Sequence, residues 1–89
     1  MNIVHVLEGK NFELRLKFVG HSVISGAYVD VYKGNKKIDV FTNPYISGDS
    51  IFLGTERLKA GNYVLVTNVI ANEIPREIKT QVFVRKVLE

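Results

Sequence analysis

Apolar and polar residues alternate along most of this chain, and the period is two. In "NFELRLKFV", Phe12, Leu14, Leu16 and Phe18 fall on one side while Glu13, Arg15 and Lys17 fall on the other. A helix would scatter these residues around its circumference, whereas a strand sorts them onto two faces. The same reading predicts strands at "IVHVL" (3–7), "AYVDVY" (27–32), "KIDVFT" (37–42), "SIFL" (50–53), "NYVLVTNVI" (62–70) and "EIKTQVFVRKV" (77–87). It sends Ala27, Val29 and Val31 inward on one strand, and Ile78, Thr80, Val82 and Val84 inward on the last. Gly34 and Asn35 in "KGNK" both tolerate positive φ and suit a two-residue hairpin turn. The clusters "GHSVISG", "TNPYISGD" and "ANEIPR" supply further turns. About seven short strands with regular turn signals and no substantial helix predict an all-β, antiparallel Greek-key sandwich, one domain over residues 1–89.

The stretch "LKAGNYVLV" refines that class. Leu58, Gly61 and Tyr63 follow the spacing L-x-x-G-x-Y just before an apolar run. This resembles the tyrosine corner of immunoglobulin-like sandwiches. The resemblance implies that Tyr63 is structural, with its ring in the core and its hydroxyl bonded back to the backbone of the corner. It also implies that residues 27–32 form strand C, 37–42 the edge strand C′, and the strands from Asn62 and Glu77 strands F and G. In that topology C, F and G share one sheet.

Composition narrows the function classes. The chain has 89 residues, 46% of them apolar, a net charge of +3 and no Cys. That is one domain able to bury a core, with neither a disulfide framework nor a thiolate metal site. "MNIVHVLEGK" lacks the basic and apolar regions of a secretory leader, and no apolar run approaches a membrane span, so a cytoplasmic origin is expected.

Motifs for chemistry are missing. There is no G-x-S-x-G, P-loop or H-E-x-x-H. His5 and His21 are far apart and have no further ligands clustered with them, so no metal site is expected. Asp30, Asp39 and Asp49, or Asn43, Ser47 and Asp49 in "NPYISGD", lack the converging oxygens and the D-x-D-x-D pattern that calcium requires. Ser22, Ser25, Ser47 and Ser50 read as turn residues. The tip "KGNKK" (Lys33, Lys36, Lys37) could contact phosphate, but the wide basic stripe and stacking aromatics of a nucleic-acid module are not present. The expectation is a protein without catalytic residues, cofactor, metal or small-molecule substrate.

One surface reads as functional. The outward positions on strands C, F and G are Tyr28, Asp30 and Tyr32, then Val64, Val66 and Asn68, then Lys79, Gln81, Phe83 and Arg85. A solvent face would carry mostly charge, and an apolar patch rimmed by charge marks an interaction surface. The candidate face is Tyr28, Tyr32, Val64, Val66, Phe83 and Arg85. A register slip of one residue would turn all of them inward.

From Glu8 to Val87 the order "EGKNFELRLKF", "ISGAYVDVYKGNKKI", "TERLKAGNYVLV" resembles the small immunoglobulin-like modules of tailed-phage virion proteins, including the N-terminal domains of baseplate upper proteins. In those proteins the module is one end of a longer chain. A chain starting at its own Met is more similar to a capsid auxiliary or decoration protein, or to a head–tail component. The resemblance implies a virion protein assembled in the host cytoplasm, whose partners are capsid or tail subunits or a second copy of itself. An adhesin, surface-layer or macroglobulin-like binding domain cut from a larger protein, and a small nucleic-acid binder, are the alternatives.

Overall fold

The computed structural model describes residues 2–10, 13–17, 23–40, 42 and 44–86. Phe12, Phe18, His21, Ser22, Asn43 and Val87, all invoked above, lie outside the described residues. Eight strands and no helix are found among those described: β1 (Asn2–Leu7), β2 (Glu13–Lys17), β3 (Ile24–Lys33), β4 (Lys36–Ile38), β5 (Tyr45–Ser47), β6 (Ser50–Gly54), β7 (Gly61–Ala71) and β8 (Ile74–Arg85). They form a five-stranded sheet in the order β1-β8-β7-β3-β4 and a three-stranded sheet in the order β2-β6-β5. This is an immunoglobulin-like sandwich.

The core lies between the sheets and follows the alternation. Leu16, Ile51 and Leu53 project from the small sheet to meet Val6, Val31, Leu65, Val69, Val82 and Val84 from the large one. Ala27, Val29 and Ile78, more exposed, pack against this cluster. Fully burying a side chain such as Ile51, Leu53 or Leu65 stabilises the fold by about 1.5–3 kcal/mol. Strand β7 is paired along its length with β8 and along most of it with β3, and its residues alternate strictly between the core and the outer face.

Three two-residue hairpin turns set the registers. Lys33 pairs with Lys36 around Gly34, whose φ is 64°, and Ser47 pairs with Ser50 around Gly48, whose φ is 61°. In both turns only the first central residue has positive φ, as in a type II′ turn, so Asn35 does not use its tolerance. Ala71 pairs with Ile74 around Asn72 and Glu73, both with positive φ, as in a type I′ turn. Asn72 also clamps the entry to β3: its N–H donates to the Val23 carbonyl at 2.9 Å, and its Oδ1 accepts from the Val23 N–H at 2.9 Å.

Several boundaries differ from expectation. β5 lies inside "TNPYISGD", and β8 starts inside "ANEIPR", where only Asn72 and Glu73 form the turn. Pro75 is tolerated within β8 for a geometric reason. Ala71 and Ile74 close the hairpin, so the next pair, Ile70 with Pro75, is one that exchanges no hydrogen bonds. β3 starts at Ile24, inside "GHSVISG", and a bulge between Ile24 and Gly26 restores its alternation. The expected edge strand over 37–42 pairs only to Ile38. Beyond it the chain crosses between sheets: Val40 packs on the core and the Thr42 carbonyl accepts from Gly54 N–H at 2.7 Å. Finally, β1 lies parallel to β8 at the end of the large sheet, while the other strand pairs among the described residues are antiparallel.

Two features yield predictions. Glu73 holds φ 66°, a conformation that disfavours side chains with a Cβ, so Glu73→Gly should stabilise the protein by about 0.5–1 kcal/mol in chemical denaturation; no gain would mean that the Glu73 side chain compensates the strain. The hydroxyls of Thr67 and Thr80 are buried without a hydrogen-bond partner. Thr67→Val and Thr80→Val keep the shape and remove an orphan group, so each should raise stability by about 1 kcal/mol. A lower melting temperature for both would show that the hydroxyls are bonded.

Candidate functional site

The corner before β7 fixes how that strand enters the large sheet. Leu58 and Tyr63 are buried, and the Tyr63 hydroxyl donates to the Lys59 carbonyl at 2.7 Å. Burial, and then the Glu8 carboxylate nearby, push the Tyr63 phenol up from its ordinary pKa, which keeps the hydroxyl a donor. Gly61 has φ 153°, and a Cβ there would meet Lys33 Cε at 3.3 Å. Lys33 extends across this point, with its ammonium 5.7 Å from the centre of the Tyr63 ring. A second tie comes from the turn after β1, where the Glu8 carboxylate accepts from Ala60 N–H at 2.5 Å and Glu8 N–H donates to the Arg85 carbonyl at 2.8 Å. The corner thus holds β1, β7 and β8 in one register.

That register decides the outer face of the large sheet. Tyr28, Tyr32, Val64, Val66, Phe83 and Arg85 all lie on it, in cross-strand rows. One row runs Lys37, Tyr32, Val64, Gln81, Ile3; the next runs Asp30, Val66, Lys79; the third runs Tyr28, Asn68, Glu77. On the other flank Asn62, Phe83 and His5 form a row, followed by Arg85 and Leu7. Val64 and Val66 floor a groove of about 530 Å³ walled by Tyr32, Gly34 and Asn35 on one side and Glu77 and Lys79 on the other. Tyr28 is 61% exposed and stands apart from Tyr32, because Asp30 lies between them and binds Lys37 at 3.0 Å. That hydrogen bond, and then the Asp30 charge, raise the pKa of Lys37.

The sequence reading missed the share of this face that belongs to β1. Ile3, His5 and Leu7 continue the rows past β8, with Ile3 60% exposed and the His5 ring stacked on Phe83 at 5.1 Å between centroids. The alternation of "IVHVL" puts these three on one side, but nothing local says which sheet the strand joins. Farther along, Ile70 and Pro75 join Tyr28 around a smaller hollow of about 280 Å³.

The outer face of the small sheet is different. Its aromatics are internally partnered: Tyr45 stacks on Phe52 at 5.0 Å and donates to Glu13 at 2.9 Å, while Arg15 lies 5.9 Å from the Phe52 centroid and bonds Ser50 at 3.1 Å. The other groups weighed in the sequence do not converge. Asp30 is on the large sheet, whereas Asp49 sits in the β5–β6 turn and accepts from Ser50. Among the described residues no group of three or more His, Cys, Asp or Glu is arranged to hold a metal ion. In the "KGNKK" tip, Lys33 lies over Tyr63 and Lys37 is paired with Asp30, which leaves no convergent basic cluster.

No protein-family model matches the chain, and no curated protein matches it in sequence. Solved structures do resemble it. A chain of the titin M10–obscurin-like 1 Ig complex superposes with a TM-score of 0.55 at 18% identity, over 99% of this chain and 90% of that one. A tandem of titin Ig domains (A164–A165) gives a TM-score of 0.56 at 13% identity, and an I-band fragment of titin gives 0.56 at 14%. This chain covers 98% of its own length in the tandem but 45% of the tandem's, and 97% of its own but 30% of the I-band fragment's. At such identities the likeness establishes the immunoglobulin-like fold and nothing further.

Tyr63→Phe removes the bond to Lys59 while keeping the ring, and should cost about 1 kcal/mol of unfolding free energy. Gly61→Ala should cost more, since it strains the backbone as well as crowding Lys33. A neutral Tyr63→Phe would show that the corner is held by packing alone.

Proposed function

We propose that this protein works by contact, docking another protein on the outer face of its large sheet. The observation that carries the reading is the groove over Val64 and Val66, with Tyr32 beside it and Ile3 and Phe83 on the β1 flank, where a solvated sheet would present charge. Tyr, Phe and Arg beside an apolar floor of Val64 and Val66, rimmed by Lys37, Glu77 and Lys79, have the composition of interface anchors within a polar rim. The small sheet offers less, since its outward aromatics Tyr45 and Phe52 stack on each other and Tyr45 bonds Glu13, whereas on the large sheet it is Phe83, at the flank, that stacks within the chain, on His5.

The setting we infer is an assembled phage particle, with capsid or tail subunits as partners and assembly in the host cytoplasm. The support for this is the resemblance of the segments from Glu8 to Val87 to sandwich modules of tailed-phage virion proteins; the titin structures speak to the fold only. Nothing in the site provides a nucleophile paired with a base, so the function is read as non-enzymatic.

A photo-crosslinking side chain in place of Val66, compared with one in place of Arg15 on the small sheet, tests the docking face. Expressed in phage-producing cells, the Val66 variant should give discrete adducts and the Arg15 variant none. Tyr28→Ser with Tyr32→Ser should abolish partner binding and leave the circular dichroism spectrum intact. Both tyrosines sit on β3, away from β1, so these changes spare the flank where Phe83 supports His5. Adducts with capsid or tail subunits would support the virion setting, and adducts with a cell-surface component would favour the adhesin-type alternative. Equal labelling from both faces would overturn the proposed site.

A further inference from the structure

The sheet edges of this protein are not equally protected. The edge strand β4 carries Lys36 and Lys37, and β2 carries Glu13, Arg15 and Lys17. β5 follows directly on Pro44, and the part of β8 that extends past β1 contains Pro75, Glu77 and Lys79. These are the residues that discourage edge-to-edge pairing. β1 has none of them. It reads "NIVHVL", without Pro, Asp, Glu, Lys or Arg, and among the described residues it ends the large sheet, with Ile3 60% and Leu7 41% exposed.

The hydrogen-bonding groups on that edge can be assigned. In a parallel pair, the N–H and C=O of one residue point to the same neighbour, and successive residues alternate sides. Glu8 N–H donates to the Arg85 carbonyl, so the even-numbered residues of β1 face β8. Ile3, His5 and Leu7 therefore direct their backbone groups away from the sheet. Leu7 C=O accepts from Lys10 N–H at 3.2 Å and keeps a second lone pair.

We propose that the β1 edge pairs with the β1 edge of a second copy of this chain, antiparallel about a two-fold axis midway between the two His5 residues. The register follows from the sequence of the edge. With His5 opposite the second copy's His5, Ile3 falls opposite its Leu7 and Leu7 opposite its Ile3. All of these positions carry outward-facing backbone groups, so each pair exchanges hydrogen bonds. The exposed Ile3 and Leu7 side chains then cover each other on the outer face, while Val4 and Val6 remain over the core. The arrangement is self-complementary, as a two-fold interface requires, and brings no acidic or Lys/Arg side chains of β1 into opposition. In β4 it is Lys37 whose backbone groups face outward, so a two-fold copy there would set Lys37 opposite the second copy's Lys37. The dimer would join the two large sheets into one. The edge and the groove over Val64 and Val66 are separate; Ile3 lies on the flank of both, but the register of the edge does not depend on what occupies the groove.

Light scattering and sedimentation over a concentration series test it on the full chain. The expected mass at high concentration is twice the chain's 10.1 kDa. His5→Lys places like charges opposite each other on the axis, and should weaken the dimer about tenfold or more while the circular dichroism spectrum stays unchanged. His5→Ala should remain dimeric. The chain has no Cys, so single cysteines report the register directly. Across a hydrogen-bonded antiparallel pair the Cα atoms lie about 5.5 Å apart, within disulfide reach. His5→Cys should oxidise to a covalent dimer, Ile3→Cys alone should not, and a mixture of Ile3→Cys with Leu7→Cys should cross-link. A monomer at every concentration, a dimer untouched by His5→Lys, or equal oxidation of Ile3→Cys and His5→Cys would each overturn the proposal. So would pairing of the edge with a strand of a different protein in place of a second copy. Tyr28→Ser with Tyr32→Ser should leave the dimer intact, which separates this outcome from failure of the docking face.

Discussion

The backbone ladder of β7 is the constraint on which the rest of the molecule depends. This strand hydrogen-bonds to β8 on one side and β3 on the other, so its side chains have only two directions open to them. One direction takes Tyr63, Leu65, Thr67, Val69 and Ala71 into the core, and the other leaves Val64 and Val66 on the outer face. A shift of one residue would bury Asn62 and Asn68 and expose Leu65. The Tyr63 corner and the type I′ turn at Asn72 and Glu73 close the two ends of the ladder and hold it against such a shift.

The same rigidity bears on the proposed docking face. Its groups project from paired strands, and their spacing is that of the sheet, so a partner of the kind proposed would meet an already ordered surface and lose little entropy in fixing it. The salt bridge from Lys37 to Asp30 divides the face into a central groove and an outlying Tyr28. Being exposed, it acts more on the shape and charge of the rim than on stability. The small sheet has comparable aromatic content at Tyr45 and Phe52, but those rings are matched to each other, to Arg15 and to Glu13. On the large sheet the one stacked pair among the described residues is Phe83 with His5, at the flank away from the groove.

Edges follow a separate logic. Pro75 sits where β8 has lost its outer neighbour and needs no donor toward β7, and the lysines of β4 serve its edge in a similar way. β1 stands outside this pattern, with alternate backbone groups pointing outward and apolar side chains beside them. The register of its parallel pairing with β8 is what directs the backbone groups of Ile3, His5 and Leu7 toward that edge.

The amino-acid pattern by itself determined which side chains lie inside. Period-two alternation assigned Leu14 and Leu16, Val29 and Val31, Thr80, Val82 and Val84 to the core face, and it assigned Tyr28, Tyr32, Val64, Val66 and Phe83 to the opposite one, because alternation is a local property of extended backbone. The L-x-x-G-x-Y spacing marked the corner for the same reason: Leu58, Gly61 and Tyr63 act on one another within a few residues. Strand ends were less legible. Gly26, Ile74 and Pro75 read as turn residues, yet the long ladder on β7 draws them into strands, since pairing overrides local preference. The early end of β4 at Ile38 was invisible because the chain leaves that sheet to bond Gly54 on the other. Only the tertiary structure decided that β1 lies beside β8. That contact joins the two ends of the chain and arises from packing and ladder hydrogen bonds between residues far apart in sequence, on which local periodicity has no bearing. It completes the outer face with Ile3, His5 and Leu7 and leaves the large sheet with its one uncharged edge among the described residues.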